Sequence, residues 1–258
     1  MEWPRGSGGP WRLPLAVSID TGTSVSGVRR QGDGQVSADD RLTGRRAVVR
    51  TVEMVAVFGL FPIALIPLRV EVGRWLIPIL VVTAAGCSVV LIQDPTFDRR
   101  RLWNATGLVA GLRRMLRLVP VGAVALVVLT LLIDPTRLLG LARERPLLWA
   151  VVLILYPVLS AYPQELIFRT FFFHRYARLI GDPRWVIAGS ALSFGLAHAF
   201  LSNWIAPVLS AIGGFLFART YAHSASTLQA SLEHAIWGDL VFTIGLGWYF
   251  YGGSLSPA

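Results

Sequence analysis

Residues 147–173 read LLWAVVLILYPVLSAYPQELIFRTFFF, a run in which only Glu165 and Arg169 carry a charge. A single helical crossing of a bilayer needs about 20 mostly apolar residues. This stretch supplies them, then places an acid and a base where the surrounding solvent would be lipid. Working outward, further apolar blocks lie at roughly 51–68, 75–91, 119–133, 185–201, 204–219 and 228–250. They are long and continuous rather than short and alternating, which is the signature of helices that span a membrane. The expected fold class is all-α: a polytopic membrane helical bundle of about seven transmembrane helices, within a range of six to eight. The block at 119–133 is short for a crossing and is expected to borrow from its flanks.

Composition agrees. Of 258 residues, 54% are hydrophobic and 15% charged, less charge than a soluble domain of this length carries. The formal charge is +9, and every basic side chain other than histidine is arginine. The arginines sit between apolar blocks, as topology signals do, so the charge does not point to nucleic acid. Cys87, the one cysteine, lies inside an apolar block and reads as a small buried hydrophobe.

Three regions follow. Residues 1–46 are rich in Gly, Ser, Asp and Arg without apolar periodicity, and read as a disordered cytoplasmic tail rather than a signal peptide. Residues 47–146 read as N-terminal transmembrane helices plus an interfacial amphipathic helix. That helix is expected after Arg99-Arg100-Arg101, where apolar and basic residues alternate at helical spacing. Residues 147–252 read as the functional core. Arg41, Arg45, Arg46, Arg50, Arg99 to Arg101, Arg113, Arg114, Arg117, Arg175, Arg178, Arg184 and Arg219 fall on one side of the bundle. Arg69, Arg74, Arg137, Arg143 and Arg145 fall on the other. The asymmetry predicts a multi-pass cell-membrane protein with a cytoplasmic N-terminus.

Ionisable groups inside membrane spans are costly, so they mark function or mutual pairing. Three places stand out. In Tyr162-Pro163-Gln164-Glu165-Leu166-Ile167-Phe168-Arg169, Pro163 interrupts the helix ladder, and Glu165 and Arg169 share a helix face at i,i+4. In Phe194-Gly195-Leu196-Ala197-His198, the small residues permit close helix approach. In Glu233-His234-Ala235-Ile236-Trp237-Gly238-Asp239, a second histidine lies between carboxylates. Taken singly, each also reads as structural: an ion pair that fixes its helix, a packed and hydrogen-bonded histidine, and, less strongly, a second histidine flanked by carboxylates. Taken together they lie at comparable depth. At about 1.5 Å per residue, Glu165 is roughly 15 Å from Arg175, His198 roughly 21 Å from Arg184 and His234 roughly 10 Å from Thr227. One acid and two imidazoles on three helices are expected to share one cavity. Such a set suits water activation and oxyanion stabilisation. Glu165, His198 and His234 also form a possible zinc set, although the spacing encodes no metal motif and the sequence requires no cofactor.

The three segments resemble the motifs of the CPBP family (CAAX protease or Abi, type II CAAX prenyl endopeptidase-like) of intramembrane proteases. Those motifs are Glu-Glu, three residues and Arg; Phe, three residues and His; and His followed four residues on by Asn or a similar residue. They appear here as Gln164-Glu165-x-x-x-Arg169, Phe194-x-x-x-His198 and His234-x-x-x-Gly238. The resemblance implies a glutamate-dependent endopeptidase, its cavity open to the cytoplasm, that cleaves a peptide or protein tail. The partners implied are membrane lipid and a substrate with a membrane-associated segment. Carried over, Glu165 is base or water orienter with Gln164 beside it, Arg169 holds Glu165, and His198 and His234 share proton transfer and oxyanion stabilisation. Two positions depart from the pattern. Gln164 replaces the first Glu and accepts no proton at neutral pH. Gly238 replaces the Asn, and Asp239 points about 100° away around the helix. A second expectation is therefore a catalytically impaired binding or immunity protein on the same fold. A transporter is a weaker third, since no inverted repeat is visible.

Overall fold

The computed structural model describes residues 44–250. The 1–43 part of the expected tail and residues 251–252 of the expected core lie outside them, whereas residues 44–46 already belong to the first helix. Seven long helices follow one another: α1 Gly44–Gly73, α2 Leu76–Gln93, α3 Leu108–Ile133, α4 Pro146–Ile180, α5 Pro183–Leu201, α6 Ile205–Ser224 and α7 Thr227–Ile244. Among the described residues there is no strand.

Six of the seven, α1 to α6, are long and apolar enough to cross a membrane. The seventh, α7, carries Gln229, Glu233, His234 and Asp239, which lower its hydropathy. Those polar groups are tolerated because α7 packs against α3, α4 and α6, so they meet protein rather than lipid. Lipid-facing surface lies elsewhere: Leu132, Leu147 and Val121 on α3 and α4 are more than two-thirds exposed (78%, 79% and 72%). Exposed apolar area on that scale marks contact with a membrane.

The helix boundaries follow from local chemistry. Asp182 accepts the Arg184 amide ahead of Pro183 and starts α5. Asn203 accepts the Ala206 amide and starts α6. Ser226 accepts the Gln229 amide and starts α7. At the far end of α7, Gly245 has φ +128, and a Cβ there would overlap the Arg137 backbone carbonyl. Only glycine ends the helix this close to the α3–α4 connection.

One expectation fails. The basic stretch after Arg101 is not a separate interfacial helix. Arg99–Leu102 forms a single 3₁₀ turn, and Leu108 onward forms the first turns of α3, continuous to Ile133. The Arg113, Arg114 and Arg117 turns thus lengthen the short block at 119–133 into a 26-residue helix. Amphipathic periodicity alone does not distinguish a helix lying on a membrane from the basic end of one that enters it.

The two ends of the bundle differ. At the end that carries the N-terminus of α1, Glu53 accepts a bidentate pair from Arg175 (2.6 and 2.8 Å) and the Tyr176 hydroxyl (2.8 Å). At the same end His174 Nε2 lies 2.9 Å from Asp94, and Asn104 donates to the Ser224 carbonyl. At the other end, the α1–α2 turn, Phe200, Leu201 and Phe250 pack together.

Candidate active site

Helix α4 is not a regular α-helix. Pro157 and Pro163 lack the amide that would bond four residues back. The chain widens into π turns at Pro157–Ala161 and Leu166–Phe171, on either side of the Gln164-Glu165 pair. Widened turns of this kind recur at functional sites, because they re-aim side chains.

Glu165 and Arg169 are completely buried. Arg169 Nε stands 3.1 Å from Glu165 Oε2, an ion-pair contact in which the N–H is not aligned on the oxygen. The guanidinium also donates from Nη1 to Ser190 Oγ (3.3 Å) and lies over the Phe194 ring at 4.7 Å. The other carboxylate oxygen, Glu165 Oε1, is 2.9 Å from His234 Nδ1. A carboxylate beside Nδ1 requires an N–H there. The opposite nitrogen, Nε2, is 2.9 Å from the Tyr156 hydroxyl. The His234 ring stacks on Phe217, centroids 4.5 Å apart, which fixes its plane. Arg169, Glu165, His234 and Tyr156 therefore form one continuous polar chain from α4 to α7 and back to α4.

His198 stands at the last turn of regular helix in α5. Its Nδ1 is 2.9 Å from the Phe194 carbonyl oxygen. A carbonyl accepts only, so Nδ1 carries the hydrogen and the neutral ring keeps its lone pair on Nε2. Phe194 lies edge-on to both His198 and His234 and spaces them apart. The close approach of α5 to α6 that carries this turn depends on Gly195, where a Cβ would stand 2.8 Å from both Ala211 Cβ and the Pro207 oxygen.

A cavity of about 820 Å³ opens against these groups. Gln164, His198, His234, Tyr156, Ser160 and Gly238 line it, and its remaining wall is mostly apolar. The expectation of one shared cavity holds for the two histidines and Gln164. It does not hold for Glu165, which stands behind His234 rather than in the wall, because Oε1 and Oε2 are turned to His234 and Arg169. Gln164 donates from Nε2 to Ser160 Oγ (2.8 Å), leaving its buried Oε1 with no hydrogen-bond partner.

Glu165, His198 and His234 do not make a metal site. Both nitrogens of His234 and both oxygens of Glu165 are engaged, and His198 sits beyond the Phe194 ring. Among the described residues no group of three or more His, Cys, Asp or Glu side chains is placed to hold a metal ion.

The cavity reaches one end of the bundle only. Val70, Gly73 and Arg74 of the α1–α2 turn line it, with Phe200, Leu201 and Phe250. This end is opposite the one where α1 begins. The expectations of a cytoplasmic N-terminus and of a cavity open to the cytoplasm thus refer to opposite ends of the molecule.

Two contributors were not legible beforehand. Tyr156 belongs to no motif and reads as one more aromatic in an apolar run; the glycine at 238 is the signal that a neighbour fills that space. Ser160 is one helical turn before Gln164 and was readable only by its i,i+4 spacing.

No curated protein and no solved structure matches the chain. Residues 146–238 match the family described as type II CAAX prenyl endopeptidase Rce1-like, a match that takes in all three motifs. That match, over residues 146–238, agrees with the family that the motif resemblance implied.

Proposed function

We propose that the protein is an intramembrane endopeptidase that hydrolyses a peptide or protein tail inside this cavity, with His198 as the base. The observation that carries the reading is the tautomer of His198. Its Nδ1–H is committed to the Phe194 carbonyl, so Nε2 offers a lone pair in the same cavity as Gln164 and His234. A water that donates to Gln164 Oε1 and to His198 Nε2 becomes the nucleophile. Its proton passes to Nε2 as its oxygen bonds to the scissile carbonyl carbon, then to the leaving amine as the C–N bond breaks. Glu165 orients His234 in this scheme instead of taking the proton, and Arg169 holds Glu165 in turn. The assignment of general base thereby moves from Glu165 to His198.

The apolar wall, with Ile77, Leu80, Val151, Leu155 and Val241, suits a substrate with a membrane-associated segment. We place the protein in the cell membrane with its N-terminus cytoplasmic, on the arginine asymmetry. The mouth at Arg74 and Phe250 then faces the non-cytoplasmic side, and a tail would enter from there.

Purified protein in lipid nanodiscs, given a fluorogenic peptide with an acylated end, tests the reading. The wild type should cleave it, and His198→Ala should lose about 10²–10⁴-fold in kcat. Equal turnover by the two would refute the mechanism. The second reading, a non-catalytic binding or immunity protein, draws support from Gln164, whose amide is tied to Ser160 where the family has an acid. It predicts no cleavage by the wild type and partner binding that survives His234→Ala.

A further inference from the structure

Tyr156 lies in none of the three motifs, yet its hydroxyl is 2.9 Å from His234 Nε2 and it lines the cavity. Its ring lies edge-on to His234 and to Phe242, which holds the hydroxyl in place. The position four residues after His234 is Gly238, and a Cβ built there would overlap the Tyr156 ring and hydroxyl. A side chain at 238 and the phenol at 156 therefore compete for one space. In this chain the phenol has it, brought from α4 instead of α7.

We propose that the Tyr156 hydroxyl is the oxyanion donor of this site, with His234 setting its orientation. The inference rests on the endopeptidase reading above. Glu165 Oε1 fixes the hydrogen of His234 on Nδ1, so Nε2 accepts from the Tyr156 hydroxyl and holds it at the cavity wall. As negative charge grows on a substrate oxygen in the cavity, the phenolic O–H turns from Nε2 to that stronger acceptor. As the hydroxide oxygen bonds to the substrate carbonyl carbon, the C=O electron pair moves onto oxygen, and Tyr156 donates to that oxygen without transferring its proton. On collapse the C=O bond reforms, the C–N bond breaks, and His198 returns the water's proton to the amine.

The test uses the full chain in nanodiscs with the same fluorogenic peptide. Removing one oxyanion donor lowers kcat by about 10²–10³-fold, so Tyr156→Phe should fall by that factor with KM within about twofold. Gly238→Ala should also fall, because the new Cβ displaces the phenol. Tyr156→Ala/Gly238→Asn should recover at least tenfold over Tyr156→Ala alone, as an amide fills the vacated space. A Tyr156→Phe variant with wild-type kcat overturns the donor role while leaving the endopeptidase reading intact. If the wild type cleaves nothing, that reading fails, and binding decides the inference. A phosphinic analogue of the peptide, a mimic of the tetrahedral oxyanion, should bind at least tenfold more weakly to Tyr156→Phe than to wild type. Equal affinity, or no binding by either, overturns it.

Discussion

Arg169→Met should be the most destabilising single substitution around the site. Arg169 and Glu165 are both fully buried, 3.1 Å apart. Methionine keeps much of the apolar volume, so the loss is largely electrostatic. Breaking a buried pair by removing one partner destabilises by about 3–5 kcal/mol, because the remaining charge is left without compensation. The position over the Phe194 ring contributes about 0.5–2 kcal/mol more. Glu165 keeps His234 as a partner, which offsets part of this, so the net expectation is a loss of about 3 kcal/mol. Glu165→Leu added to Arg169→Met removes the stranded carboxylate. The double variant should therefore be no less stable than Arg169→Met alone, although Glu165→Leu is destabilising in the wild-type background. Reversible unfolding in mixed detergent micelles, followed by the fluorescence of the nine tryptophans, measures all four corners of the cycle. A loss under 1 kcal/mol for Arg169→Met, or single losses that simply add, would refute the picture of a buried interdependent pair.

Outside the spans, His174 and then Thr96 hold the Asp94 carboxyl down from 3.8 to about 2. A depressed carboxyl contributes stability that is complete above its unfolded value and is lost as pH falls. The wild type should therefore lose Tm between about pH 4 and pH 2 relative to Asp94→Asn, and coincident Tm curves across that window would contradict the staple. Gly245→Ala should lower stability by at least about 1–3 kcal/mol, since φ +128 is strained for alanine and its Cβ meets the Arg137 carbonyl; an unchanged Tm would contradict the close approach. With Cys87 replaced by Ala, an impermeant maleimide applied to intact cells should label Arg74→Cys and not Asp182→Cys. The reverse pattern would place the cavity mouth in the cytoplasm.

Much of the fold and part of the site were legible in the sequence, for identifiable reasons. Lipid imposes long apolar helices, so every block but 228–250 maps onto a helix long and apolar enough to cross, the short block at 119–133 drawing its missing turns from Leu108 onward. The Glu165–Arg169 contact follows from i,i+4 spacing on one helix. That Glu165 and His234 lie near one another was expected from their matched depth, but their direct contact appears only in the structure. What was not legible depends on rotation about helix axes. Spacing could not say that Glu165 turns its two oxygens to Arg169 and His234, away from the cavity. Nor could it say that His198 spends Nδ1 on its own helix. Tyr156 was hidden because an aromatic ring in an apolar run carries no polar signature, and its role appears only when the empty position at Gly238 is set against it. The sidedness of the cavity was not legible either, since it depends on which ends of seven helices diverge.

The central claim is that the cavity hydrolyses a peptide bond with His198 Nε2 as the proton acceptor. It is tested most directly by single-turnover cleavage of the acylated peptide in ¹⁸O-enriched water, with the new C-terminus read by mass spectrometry for wild type and His198→Gln. The account predicts one ¹⁸O atom in the wild-type product and a rate reduced at least about 10²-fold in His198→Gln. A labelled product formed at the wild-type rate by His198→Gln would contradict it.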